Sequence, residues 1–497
     1  MLVAPTAAPS VADDPAARCR FINDRLPEGS LYSDAKRAVQ PGSRASWRIS
    51  PEPFWLPPAV VEYLEALGQD LQAFYRALNS LYFAAVRGTQ PAWVADYVDR
   101  GRPDQVVDYG RLNRTRSQLP RVIRPDLFLT ESGFVATELD SVPGGIGFSA
   151  SLAAPYSELG YRLIGGAQGM LEGFAAMVAG ASGEENPTTA IVVSEESGDY
   201  WDEMAWLAGV LRERGHPVYA VRPQDVHFTE EALLVPEGGS PGPRDAAETP
   251  AGARLVPIKV LYRFFELYDV KNVPKWELML YAAKKQRVVI TPPAKSFLEE
   301  KLGFALLHHP ALAAYWEREL KAERFERLRR VLPPTWILDP RPLPPHATVP
   351  GLSLGGKPVQ DWQQLLGLSQ KERRLVLKPS GFSATAWGSR GVRIGHDLPE
   401  EEWAAAVHGA LEGFDSTRFV LQHFYEVKRS SVAWYDFAAG EVRPMHGRTR
   451  LTPYYFVVGD EVRLGGAMAT VVPMDKKLIH GMVDAVLVPC ALGEDTS

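Results

Sequence analysis

Between residues 57 and 87 the apolar positions Val60, Leu64, Leu67, Leu71, Phe74, Leu78 and Phe83 recur at helical spacing, so one long amphipathic helix is expected there. Further along, the period shortens. Short apolar or alternating runs predict strands at 190–193, 218–221, 258–263, 288–290, 374–378, 391–394, 419–423, 431–437 and 441–444. Helical spacing returns at 200–214, 276–285 and 310–330. Strand, helix, strand between 190 and 221 reads as a small α/β unit, and the last third is strand-rich. Residues 236–253 are crowded with Pro, Gly and small side chains and read as a loop insertion; 339–350 is a Pro-rich joint. The first 18 or so residues read as a loose tail. No repeat of fixed period is present.

Residues 124–140 form the most informative pattern, a hairpin turning through Glu131-Ser132-Gly133. A three-residue loop with Gly133 in the left-handed position puts Thr130 opposite Phe134, Asp126 opposite Glu138 and Arg124 opposite Asp140. Leu127, Leu129, Val135 and Leu139 then share one face, and Asp126, Glu138 and Asp140 the other. Like charges opposite one another need a cation between them, and Arg124 alone does not balance three acids. Two readings stand: a magnesium site built from oxygen ligands, or an acidic face open to water. The turn from Ser141 to Ser149, rich in Gly, would let a ligand approach backbone or would cap a helix.

A second pattern is Lys378, at the end of a short apolar run, followed by a Gly/Ser/Ala-rich loop from Pro379 to Gly391. Such a loop closes over a triphosphate or is an ordinary surface hairpin. Neither GxxxxGK[ST] nor GxGxxG occurs.

Length and charge then bound the picture. A chain of 497 residues exceeds one core and calls for two or three packed units. With 45% hydrophobic and 23% charged residues the composition is that of a globular protein. The net charge of -6 and the lack of a dense basic block give no reason to expect nucleic acid or an anionic membrane as the main partner. Cys19 and Cys490 lack zinc or disulfide-framework spacing, and neither a leader nor an apolar run of spanning length is visible, so a cytoplasmic chain with reduced thiols is expected.

The order of these features resembles circularly permuted ATP-grasp proteins, in particular the synthetase part of glutathionylspermidine synthetase. An acidic metal hairpin precedes Lys301, then Lys378 with its loop, then the run from Phe419 to Phe424. The resemblance implies an α/β (α+β) fold with a helical N-terminal region over 1–120, a metal hairpin and small α/β unit over 121–255, and nucleotide-binding subdomains over 256–497. It also implies ATP and magnesium as cofactors. Asp126, Glu138 and Asp140 would hold the metal, with Asp140 standing where the family has Asn. Lys301 and Lys378 would reach the nucleotide phosphates or the adenine edge, Ser380 and Gly381 would contact the nucleotide, and Gln422, His423 and Phe424 would form the strand beside adenine. Arg124 and Arg450 are the implied catalytic arginines. Arg450 comes from the segment 446–450, ahead of Gly465-Gly466, and would steady a tetrahedral oxyanion. His480 is expected to be structural.

The implied reaction joins a carboxylate to an amine through an acyl phosphate, with amino-acid, peptide or polyamine-like small molecules as partners. Glu195, Glu196 and Asp199 would read the amine or simply face water. The alternatives are a nucleotide-binding regulatory or scaffold protein and an ATP-dependent phosphotransferase. Sequence leaves the oligomeric state open.

Overall fold

The computed structural model describes residues 13–27, 31, 42–242, 252–344, 346–386, 388, 390–476, 478–481 and 484–493. It is a mixed α/β protein built on three main sheets. The largest has the strand order Phe54–Leu56, Val486–Leu492, Glu461–Pro473, Glu441–Val458, Val122–Thr130, Gly133–Asp140, with Arg429–Asp436 also on Glu441–Val458. The first two strands run parallel and the rest are antiparallel. Each of the spans 1–120, 121–255 and 256–497 contributes strands to it. A parallel sheet follows the order Val289–Thr291, Val260–Phe264, Thr189–Val193, Val218–Val221. An antiparallel one follows Thr335–Ile337, Phe419–His423, Leu375–Pro379, Arg393–Ile394.

The long helix spans Pro58–Val86, with proline in its first turn where no amide partner is lost. Its stripe of Leu64, Leu67, Leu71, Phe74 and Leu78 is buried against the largest sheet and the helices of residues 302–331. Gly68 lies under the Tyr455 ring, where a Cβ would clash, so the helix backbone comes close enough for Leu64 O to accept a hydrogen bond from Tyr455 Oη at 2.6 Å.

Several expectations need correction. The chain is helical from Pro15 to Arg25, capped by the Asp14 side chain at Ala16 N, where a loose tail was expected; its buried face of Cys19 and Ile22 joins the main core. The rest of that expected tail, 1–12, and the middle of the 236–253 loop, 243–251, lie outside the described residues. The helix expected over 310–330 is two, Ala313–Leu320 and Ala322–Val331, broken at Lys321 with φ +68°. The break lets Trp316 and Leu320 of one and Phe325 and Leu328 of the other enter the same core.

The strand expected at 441–444 runs on to Val458, through His446, Arg448, Arg450 and Pro453, whose polar or imide character interrupts the apolar pattern. Pro453 sits where the ladder to the hairpin lapses, between the pairings at Leu451 and Tyr455. Gly465 and Gly466 serve packing: the Phe456 ring and the Gly169 carbonyl leave no room for a Cβ at Gly465, and the Met170 side chain crowds the Gly466 position.

Candidate active site

The hairpin pairs Arg124 with Asp140 and Asp126 with Glu138, by a different route from the expected one. The loop has two residues, since Thr130 pairs with Gly133 (φ +113°), and the register is restored by a bulge that leaves Thr137 without a cross-strand partner. Beyond the bulge Ala136 lies opposite Leu127, and Val135 moves to the row of Phe128. At the bulge the carbonyl of Thr137 accepts a hydrogen bond from the Lys378 ammonium at 3.1 Å.

Side chains of the hairpin and the adjoining long strand form one ionic network. Arg124 reaches Asp140 at 3.0 Å and Asp126 at 3.3 Å, Arg450 reaches Asp126 at 2.8 Å, and Lys301 reaches Glu138 at 3.3 Å. Lys301 also donates to the carbonyl of Ala386 at 3.1 Å, tying the start of the helix Leu302–His308 to the loop after Lys378. Burial raises the Glu138 carboxyl, but Lys301, Lys378, Arg124 and Arg450 outweigh that and hold it at about 2. Burial dominates at Asp140, whose carboxyl is raised despite Arg124. Lys378 is drawn down to about 8 by burial.

These groups open onto a cavity of about 440 Å³. Arg124, Asp126, Glu138, Asp140, Lys301, Gly381 and Arg450 all line it; Lys378, Ser380, Gln422, His423 and Phe424 do not. Ser380 is fully buried. Gly381 presses on the Glu299 carbonyl, where any Cβ would collide, and its amide donates to Glu300 at 3.2 Å. Gln422 turns its amide inward to Thr335 Oγ1 at 2.9 Å. His423 packs edge-on against Trp336, and Phe424 against His396.

Sequence reasoning missed part of the wall. Glu203, Glu266, Glu299, Arg390, Trp47 and Tyr454 line the cavity beside the anticipated Glu196 and Asp199. Burial raises Glu266 and Glu299, each also under the negative field of Asp140. Arg263, wholly buried, is ion-paired with Glu299. The short apolar strand before Arg263 and the Ser-Gly-Asp-Tyr turn before Glu203 were the only local signals. His480 lines the cavity as well.

Eight carboxyl groups and four Lys and Arg side chains line this space, and burial raises Glu203, Glu266 and Glu299 among those acids. Asp126 Oδ1 is buried and accepts no hydrogen bond. This oxygen-rich set fits magnesium chemically, although among the described residues no three His, Cys, Asp or Glu stand together in a metal-holding arrangement. Cations now occupy those acids, so an ion would have to draw Lys301 and Arg450 away from them.

No protein-family model matches the chain, and no curated protein matches it. Among solved structures it is similar to a glutathione synthetase-like effector from Globodera pallida in its apo form. The identity is 11% over 98% of this chain and 100% of that one, with a TM-score of 0.54. A protein provisionally described as a gamma-glutamylcysteine synthetase, from Methylobacillus flagellatus KT, matches at 10% identity over 82% of this chain and 84% of that one. Its TM-score is 0.34, too low to carry an argument. The first likeness shows a glutathione synthetase-like fold; no helix among the described residues is long and apolar enough to cross a membrane.

Proposed function

We propose that the chain is a circularly permuted ATP-grasp ligase that uses ATP and magnesium to join a small carboxylic acid to an amine. The observation that carries this reading is the meeting of Asp126, Glu138 and Asp140 with Arg124, Arg450 and Lys301 around one cavity, although they come from distant parts of the chain. Lys301 and Lys378 are assigned to the nucleotide phosphates, with the loop opened by Ser380 and Gly381 as cover. The strand Phe419–His423 with Phe424 is assigned to adenine; because Gln422 spends its side chain on Thr335, backbone groups would read the base.

In the first step a carboxylate oxygen bonds to the γ-phosphorus, the bond to the β-phosphate oxygen breaks, and ADP leaves. In the second, the amine nitrogen bonds to the acyl carbon, phosphate leaves with the acyl C–O electrons, and the ammonium proton is lost. Magnesium held by Asp126, Glu138 and Asp140 would offset charge on the phosphoryl oxygens. Arg124 and Arg450, both directed by Asp126, would balance the anion on the acyl centre.

Hydroxylamine tests the reading, because it traps an acyl phosphate as a hydroxamate. Protein, ATP, magnesium and pooled carboxylic acids should yield hydroxamate and ADP together, and Asp126→Asn should cut the rate by about 100-fold or more. A phosphorylated acceptor without hydroxamate would make the protein a phosphotransferase, and nucleotide binding without either product would make it a non-catalytic binder.

A further inference from the structure

The cavity floor is one face of the largest sheet, and its chemistry changes across the strands. Arg450, Thr470 and Leu487 stand side by side on three neighbouring strands, since Arg450 pairs with Thr470 and Thr470 with Leu487. Two residues along, hence on the same face, Thr452 pairs with Met468. Towards the hairpin this floor is ionic, ending in Asp126 and Glu138; away from it, Met468 and Leu487 are apolar. Trp47 and Phe148, edge to face with centroids 4.6 Å apart, wall the apolar side and line the same cavity.

Resting on the ligase reading, we infer that this half of the cavity is the seat of the acid substrate, and that the acid is a monocarboxylate with an apolar aliphatic or aromatic body. Arg450 stands at the boundary, where it would meet the carboxylate while Met468, Leu487, Trp47 and Phe148 take the body. Trp47 is 4% exposed and Thr470 0%, so the seat is built from interior side chains. Thr470 Oγ1 and Arg450 Nε are buried and make no hydrogen bond, which leaves polar capacity beside the carboxylate position. A strongly polar acid, such as glutamate or a γ-glutamyl peptide, would place a second charge against the apolar side chains of Met468 and Leu487.

Calorimetric titration without nucleotide, using 3-phenylpropanoate, octanoate and glutamate as probes, separates this inference from the ligase reading. The two apolar acids should bind and glutamate should bind at least about tenfold more weakly. The same order should appear in hydroxamate yield. Leu487→Asn and the milder Met468→Gln should each raise the KM for octanoate about tenfold and leave the KM for ATP within about twofold. Apolar binding with no hydroxamate from any acid would sink the ligase reading and keep the seat. Hydroxamate formed from glutamate in preference to the apolar acids, or no binding of either apolar acid, would overturn the seat.

Discussion

At the scale of single residues, charge balance governs the site. Glu138 ordinarily titrates near 4.5 and is held at about 2 in the folded chain, where burial is outweighed by Lys301, Lys378, Arg124 and Arg450. A folded value below the unfolded one means its stabilisation is complete above pH 4.5 and is lost as pH falls towards 2. Acid unfolding followed by circular dichroism should therefore be flatter between pH 4.5 and 2 in Glu138→Gln than in the parent, with lower stability at pH 7. An acid limb identical to the parent's would mean those four cations do not hold this carboxylate. The acids of the hairpin were legible from alternation, but the pairing of Asp126 with Glu138, expected from a three-residue loop, comes instead from a two-residue loop and the bulge at Thr137. Lys301 and Arg450 were named by resemblance, while their contacts with those acids, 163 and 324 positions away in the chain, lie beyond any local pattern.

At the scale of elements, the turn between hairpin and helix shows how one helix steadies another. Glu203, in the first turn of Trp201–Glu213, accepts from Gly145 N at 2.8 Å and Gly147 N at 2.9 Å through the same oxygen, Oε1. This pins the start of Ile146–Glu158, and the neighbouring Gly144 carbonyl accepts from Arg124 at 3.2 Å and Tyr454 at 3.0 Å. Burial raises the Glu203 carboxyl from 4.5 to about 7, against the pull of those amides. A raised folded value gives stability that is fully present below pH 4.5 and fades as pH climbs towards 7.

Glu203→Gln keeps an oxygen for both amides and removes the titration, so urea unfolding should show a flatter decline between pH 4.5 and 7. Glu203→Ala leaves one buried and one half-buried amide without their acceptor and should cost about 2–4 kcal/mol. An unchanged pH slope in the Gln variant would show that Glu203 does not titrate there. The helix carrying Glu203 was readable from its period; what the glutamate touches was not, because its partners lie 56 and 58 residues away.

At the scale of the whole molecule, the largest sheet closes the chain on itself. Val486–Leu492 lies between Phe54–Leu56 and Glu461–Pro473, and Val486, Val488, Cys490 and Ala491 are all buried. A chain ending at residue 485 should lose its cooperative thermal transition, since an apolar edge would open and Phe54–Leu56 would lose its pairing. A sharp melt from that truncated chain would show the strand to be dispensable.

The sequence alone determined those elements whose period repeats over enough residues: the helix Pro58–Val86, the unit from Thr189 to Val221, and the existence of the hairpin. Local sterics and amphipathic alternation suffice for these, because neighbours along the chain decide them. Only the tertiary structure decided the continuation of Glu441–Val458 past Pro444, the break at Lys321, the Thr137 bulge, and the cavity floor that grades from Glu138 to Leu487. Each depends on burial or charge contributed by residues far off in the chain, and that information enters when strands of distant origin pair in one sheet.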